Sequence, residues 1–322
     1  MTAAGGAAGP AAPQISVVIP THGRWPLLQR ALQAALGQQG VEVEVVVVDD
    51  GSPDETAARL AQIDDARLRV VHHAAATGVS RARNDGIAAA RAPWLAFLDD
   101  DDLWAPRKCA DQLAAALAGG AGWAWTGAIV VDAGLRPLRL TPATEPHGIA
   151  ERLLALSPIQ GPSAVIARTD LVRELGGFDE ALSAMADWDL WLRLSERAPG
   201  AALREPATAY LEHAANMLAS DRDPASSRAE FERLAAKHAA RAAAAGVTFG
   251  AVWWTRWVAS RQRLAGRRGA AARTYLAGAV RERSAGDAVR AAGALLGPRG
   301  WDAVRGVAVG RLSSPAWLDA YR

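Results

Sequence analysis

Short apolar runs alternate with amphipathic segments over the first hundred residues. Residues 15–19 (ISVVI) form a continuous apolar run closed by Pro20, the pattern of a strand buried on both faces. Pro26 stands at the first turn of a helix that carries Leu27, Leu28, Ala31, Leu32 and Ala35. Residues 43–48 give a second strand, stopped by Asp49-Asp50-Gly51, with Ser52 or Asp54 able to cap the helix that follows. Residues 68–71 read as a third strand and 80–90 as a helix. Residues 94–98 (WLAFL) read as a fourth strand, ended by Asp99-Asp100-Asp101-Asp102. Strands that are apolar throughout and separated by helices predict a parallel sheet covered on both faces.

The alternation loosens further along. Residues 123–131 and 163–167 read as strands, 187–196 (DWDLWLRLSE) as an amphipathic helix, and 208–211 as a last strand. From residue 221 onward alanine, arginine and leucine predict helices, with short ones near 291–296 and 301–309. Residues 112–131 are uncharged over the length of a membrane helix. Gly119, Gly120, Gly122 and Gly127 break that stretch into helix, turn and strand instead.

Composition narrows the class. The chain has 322 residues, half of them apolar and 22% charged, which fits one large or two ordinary domains and excludes global disorder. The single Cys109 excludes a disulfide framework and a multi-cysteine zinc site. Only Lys108 and Lys237 are lysines, and the arginine and alanine excess reads as the codon bias of a GC-rich bacterial genome. The net charge of +2 is segregated. Residues 247–322 carry 13 arginines against Glu282, Asp287, Asp302 and Asp319, so +9, which leaves −7 on the rest. Such a tail suits a solvated helix face or contact with acidic lipid. Within it, Trp253, Trp254 and Trp257 share one helix face among several arginines. That helix either makes a peripheral contact with an anionic membrane or packs on the preceding domain or a partner chain. Residues 1–13 are small, with no basic start and no leucine-rich stretch, so they read as a tail rather than a signal peptide. The expected location is the cytoplasm, with the inner face of the membrane as the peripheral variant.

The chemistry gathers where strands end. Thr21, His22 and Arg24 follow the first strand, Asp49 and Asp50 the second, and Asp99 to Asp102 the fourth. In open parallel sheets that edge is where ligands bind. Four consecutive aspartates raise one another's pKa unless a cation sits among them. Asp99 and Asp101, one residue apart, can lean toward the same ion, and hard carboxylate oxygens suit Mg²⁺ or Mn²⁺. Asp102 reads as the N-cap of a following helix. The first strand–helix turn has neither a P-loop nor a GxGxxG fingerprint, which argues against an ATPase of that class and a dinucleotide dehydrogenase.

The segments SVVIPTHGR, VVVDDGSPDET, GVSRARNDGIAAARAPWLAFLDDDDLW and GGFDEALSAMADWDLWLRL, in this order and spacing, resemble the family 2 glycosyltransferases over roughly residues 15–213. The resemblance implies an α/β GT-A fold, with a Rossmann-like, mostly parallel central sheet and helices on both faces, followed by a C-terminal helical extension. The implied organisation is a tail (1–13), a GT-A domain (14–220, with a nucleotide-binding half at 14–105 and an acceptor half at 106–220) and the extension (221–322). The implied reaction moves a sugar from a UDP- or dTDP-linked donor, with inversion, to an acceptor hydroxyl. The acceptor is a glycan, a lipid-linked molecule or a small molecule, in cell-envelope polysaccharide, glycolipid or secondary-metabolite glycosylation. Nucleic acid is not an expected partner.

Residue by residue, the resemblance implies that Asp50 accepts the N3–H of a uracil or thymine, with Pro20, Thr21, His22 and Arg24 beside the same nucleotide. Arg83 and Asn84 would open a helix facing the donor. Asp99 and Asp100 would lie near the ribose, with Asp101, Asp99 and His213 at a Mn²⁺ or Mg²⁺ ion. Asp187 would be the general base. Structural alternatives stand beside these roles. Arg83 can pair with Asp85 or with one of the loop aspartates. Asp187 can cap its helix, and Asp189 can pair with Arg193 at i, i+4. The chain departs from the family where it carries His22-Gly23 in place of the common Tyr-Asn, and Ala186 where an acidic residue is frequent. The competing readings are a sugar nucleotidyltransferase, which wants a glycine- and base-rich first loop that THGRWP does not offer, and a non-catalytic protein that keeps the fold.

Overall fold

The computed structural model of the chain describes residues 12–212, 224–281, 283–309 and 314–321. Strand β1 (Ile15–Thr21) is buried at every position, as is β2 (Val43–Asp49). Continuous Val and Ile runs of this kind are stable only with both faces covered. Helix α1 (Trp25–Leu36), with Pro26 in its first turn, supplies one cover through Leu28, Ala31, Leu32 and Ala35. A short α2 (Thr56–Leu60) precedes β3 (Leu68–His72), and α3 (Val79–Ala89) returns the chain to β4 (Trp94–Phe97). These four strands are parallel in the order β3-β2-β1-β4. The chain adds β2 and β3 on one side of β1, then crosses to place β4 on the other. A crevice therefore opens at the carboxyl ends of β1 and β4, the switch point where such sheets receive ligands.

Beyond β4 the sheet is mixed rather than uniformly parallel. A two-residue β5 (Leu103–Trp104) leads to α4 (Lys108–Ala118), β6 (Trp123–Val131), β7 (Pro137–Thr141), α5 (Ile149–Ala155), β8 (Val165–Arg168), α6 (Thr169–Glu174), α7 (Ala186–Arg197) and β9 (Gly200–Leu211). The order continues as β4-β8-β6-β9-β5, with β7 pairing β6 on the edge it also shares with β8. Strand β8 runs antiparallel to both β4 and β6, while β9 runs parallel to β6. Residues 112–131 resolve into helix, glycine turn and strand, and among the described residues no helix is long and apolar enough to cross a membrane. The stretch 163–167 begins in a 3₁₀ turn over Pro162–Ala164 before β8. The last strand is much longer than residues 208–211, because Gly200 to Leu203 also pair with β6, with no β-branched or aromatic side chain among them.

The chain then becomes helical: α8 (Pro224–Lys237), α9 (Ala239–Ala244), α10 (Ala251–Leu264), α11 (Arg268–Arg281) and α12 (Ala285–Val309). The two helices expected near 291–296 and 301–309 lie end to end in α12, on either side of a non-helical break at Gly297, where φ is +77°. Small residues make the α10–α12 core: Ala259, Ala271, Ala272, Ala291 and Ala294 around Tyr275. Trp253 and Trp254 pack on the main core with Phe231 and Trp188, so the tryptophan face of α10 packs on the rest of the chain.

Gly86 lies inside α3, where close packing requires a glycine. A Cβ there would stand 2.4 Å from a methyl of Val18 and 3.2 Å from one of Val48. Helix α3 thus presses its backbone directly on β1 and β2. Gly86→Ala is expected to destabilise the fold by about 1–3 kcal/mol through overpacking, with Gly86→Val worse, as read from the midpoint of urea unfolding.

Candidate functional site

A cavity of about 640 Å³ lies over the crevice between β1 and β4. Its floor comes from Pro20, Thr21, His22 and Arg24 after β1, Asp50 after β2, and Asp99 to Asp101 after β4. Parallel register brings these together: Thr21 pairs with Asp49, so the polar residues after each strand emerge at one edge. The N-terminal end of α3 adds Gly78, Val79, Ala82 and Arg83. The opposite wall is made by residues 157 and 159–162, by residues 183–185 with Asp187 and Trp188, by Tyr210, and by Trp253 from α10.

Asp50 is fixed by its neighbours. Its Oδ1 accepts from His73 Nδ1 at 2.7 Å and from Thr77 N and Oγ1, both at 2.8 Å. Its Oδ2 accepts from Gly78 N at 2.8 Å, at the start of α3. Burial works against the charge, but the bonds from His73, Thr77 and Gly78 outweigh it and hold the carboxyl at about 2. His22 lines the cavity beside it and donates Nδ1–H to the Asp50 carbonyl at 2.8 Å. None of the three residues that hold Asp50 was visible as a site residue, since each acts through a turn of the chain.

Each aspartate of the acidic loop meets a different partner. Asp99 pairs with Arg83 Nη2 at 2.5 Å. Asp100 is buried, accepts from Thr21 Oγ1 at 2.7 Å and pairs with Arg24. Burial lifts the Asp100 carboxyl, Arg24 opposes it, and the balance stands at about 7. Asp101 pairs with Arg24 Nη1 at 3.0 Å. Asp102 is not a helix cap: it is buried, and its Oδ1 accepts from Leu211 N at 3.2 Å on β9. Its second oxygen, Oδ2, is buried without a hydrogen-bond partner.

The carboxylates that converge are Asp99, Asp101 and Asp102, each offering an oxygen within 4.8 Å of the others. Three hard anionic oxygens, one of them buried and unsatisfied, fit a small divalent cation. Asp102 thus joins the expected pair Asp99 and Asp101. The expected third ligand, His213, lies outside the described residues.

Helix α7 carries two aspartates with opposite tasks. Residues two apart on a helix point to nearly opposite sides. Asp187, in the first turn, is half-buried and lines the cavity, and its Oδ1 accepts from Trp188 N at 2.7 Å. Burial raises its carboxyl to about 6, against the pull of Arg83. Asp189 is fully buried on the far side. It meets Arg193 at 2.6 Å, His238 Nε2 at 2.9 Å and Lys237 Nζ at 3.0 Å. Burial would raise it, yet these donors hold it at about 2. The Arg193 pair is readable from the i, i+4 spacing, whereas Lys237 and His238 come from about fifty residues away. Asn84 departs from the expected role. Its carboxamide donates to Phe178 O and Glu180 Oε1 at 2.9 Å and accepts from Phe178 N at 2.8 Å, so it braces the 177–180 loop and does not line the cavity.

Residues 16–171 match the model of glycosyl transferase family 2. The chain is 34% identical over 212 residues to succinoglycan biosynthesis protein ExoO of Rhizobium meliloti, covering 62% of this chain. It spans about three fifths of that relative's length, 61%. Its structure resembles S. aureus TarS 1–349 in complex with UDP-GlcNAc, with a TM-score of 0.58 and 16% identity over 92% of this chain and 84% of that one. It also resembles mannosyltransferase PcManGT from Pyrobaculum calidifontis in complex with GDP-Man and Mn²⁺, with a TM-score of 0.54 and 20% identity over 98% and 88%. The family match covers the motif-bearing strands, so residues 16–171 form a glycosyl transferase family 2 domain, and the shared sheet and helix arrangement is the GT-A fold.

Proposed function

We propose that the chain transfers a sugar from a nucleoside-diphosphate sugar, UDP- or dTDP-linked, to an acceptor hydroxyl with inversion, in the assembly of a cell-envelope polysaccharide or related glycoconjugate. The observation that carries this reading is the meeting of Asp50, the acidic loop and Asp187 on one cavity at the switch point of the sheet. The similarity to a succinoglycan biosynthesis protein, and in fold to a protein solved with UDP-GlcNAc, supports it.

In this reading Asp50 recognises the base. Its Oδ1 is saturated by three donors, while Oδ2 has one and keeps a lone pair for an imide N3–H. Being ionised throughout the physiological range, it rejects a ring that presents an acceptor there. Asp99, Asp101 and Asp102 would hold a divalent cation, which when bound neutralises the diphosphate as it leaves. Arg24 and Arg83 hold the loop carboxylates in place around it. Asp187 takes the proton of the acceptor hydroxyl while that oxygen bonds to the anomeric carbon from the face opposite the diphosphate. The bond from the anomeric carbon to the diphosphate oxygen breaks, and its electron pair leaves with the diphosphate. A carboxyl raised to about 6 is still a carboxylate at neutral pH and is more basic than an ordinary aspartate.

Asp187→Asn should lower kcat by roughly 10² or more while UDP affinity stays unchanged, as measured by steady-state transfer and by nucleotide titration. Normal turnover would leave Asp187 as a helix-capping group only. Because only the ionised form accepts a proton, kcat should fall about tenfold per pH unit below about 6. The same shift has a stability sign. A folded pKa above the unfolded value means that wild type loses stability as pH rises from about 4 to about 6. Asp187→Asn should therefore melt higher than wild type at pH 8, and the gap should close toward pH 4.

Asp101→Ala and Asp102→Asn should each abolish the stimulation of donor turnover by Mn²⁺. Retained Mn²⁺ dependence in both would remove the ion from this loop.

A further inference from the structure

We infer that the acceptor end of the cavity is a subsite for an uncharged sugar ring, and that Trp253 of the C-terminal helices is its selecting wall. The inference rests on the reading in which Asp187 is the base. The wall around Asp187 combines an aromatic surface, Trp188 and Trp253, with the neutral polar groups of Ser157, Gln160 and Ser183. The cavity's two arginines are each paired with the acidic loop: Arg24 with Asp100 and Asp101, Arg83 with Asp99. A phosphate entering beside Asp187 would meet a carboxylate and would have to compete for guanidinium groups already engaged. A pyranose meets a better match. Its apolar C–H face covers aromatic carbon, and its hydroxyls find hydroxyl and carboxamide partners.

The wall is also held rigidly, which favours selection over mere exclusion of water. The Trp253 ring stacks on Phe231 of α8 with centroids 4.8 Å apart and planes 14° apart. Trp257 stacks on it at 5.9 Å and 16°, and Trp188 packs at 6.3 Å. Trp188 is itself pinned, donating its indole N–H to Leu153 O at 2.6 Å. The neighbouring 183–185 segment is tied to the same C-terminal helices. Both Ser183 N and Met185 N donate to Oε1 of the buried Glu230, at 2.7 and 2.8 Å. The subsite is thus assembled by α8 and α10, which lie outside the segment matched by the family.

The test uses the full chain with Mn²⁺ and a panel of UDP-glucose, UDP-galactose and UDP-GlcNAc. The acceptor probes are n-octyl β-D-glucopyranoside, n-octyl β-D-galactopyranoside and glycerol 3-phosphate. Wild type should glycosylate an octyl glycoside and not glycerol 3-phosphate. Trp253→Ala should raise the acceptor KM about tenfold, with the donor KM held within about twofold, and Trp253→Phe should recover part of the loss. Gln160→Ala lies outside the aromatic cluster and should show the same split between acceptor and donor KM, so an unstable Trp253→Ala does not spoil the test. Unchanged acceptor KM in both variants overturns the inference. So does transfer to glycerol 3-phosphate, or hydrolysis of the donor with neither glycoside used. Absence of any binding of UDP or dTDP to wild type would instead strike the underlying reading of the donor site.

Discussion

Four consecutive carboxylates at the end of a buried strand repel one another, and the site exists because the fold gives each a different counterpart. Asp99 faces Arg83 from α3, Asp100 takes Thr21 and Arg24 from the end of β1, Asp101 shares Arg24, and Asp102 turns under β9 to meet Leu211 N. Those partners come from three segments. The loop can hold its shape only when β1, β4 and β9 are assembled in one sheet. What the partners leave over is informative: Asp102 Oδ2 stays buried and unsatisfied, and three carboxylates still point toward a common center. Residual negative potential of this kind is costly to a folded protein on its own and favours a divalent cation.

Helix α7 couples the cavity to the rest of the molecule. Its inward aspartate, Asp187, is kept basic by burial, and its outward aspartate, Asp189, is kept ionised by Arg193, Lys237 and His238. The second set of contacts fixes the helix against α8 and so fixes where Asp187 stands. Glu230 does the same for the segment just before the helix. The C-terminal helices are therefore part of the site's scaffold rather than an appendage. The tryptophans of α10 close the aromatic core between the two parts.

The chain pattern alone carried much of this. Apolar runs at residues 15–19, 43–48 and 94–98, interrupted only at Ser16 and Glu44, could be satisfied only by a sheet covered on both faces, and the polar residues after them could lie only at its carboxyl edge. The i, i+4 pair of Asp189 and Arg193 and the break of residues 112–131 at its glycines were equally local, hence legible. Strand direction beyond β4 was not. A strand such as Gly200–Leu211 is held by its pairing with β6 and carries little apolar signal of its own in its first half.

Side-chain assignment followed the same division. Residue type and position at strand ends marked Asp50 and the acidic loop, whereas Asp187 was marked by the family resemblance, its place in a first helical turn reading by itself as a cap. Only the tertiary structure moved Asn84 from the cavity to the 177–180 loop and turned Asp102 from a cap into a buried oxygen beside the other carboxylates. It also decided that Trp253 and Trp254 pack inward. Local sequence sets which groups are available and which way the backbone runs. Which group meets which across tens or hundreds of residues is decided by packing, since burial, register and charge pairing act through space.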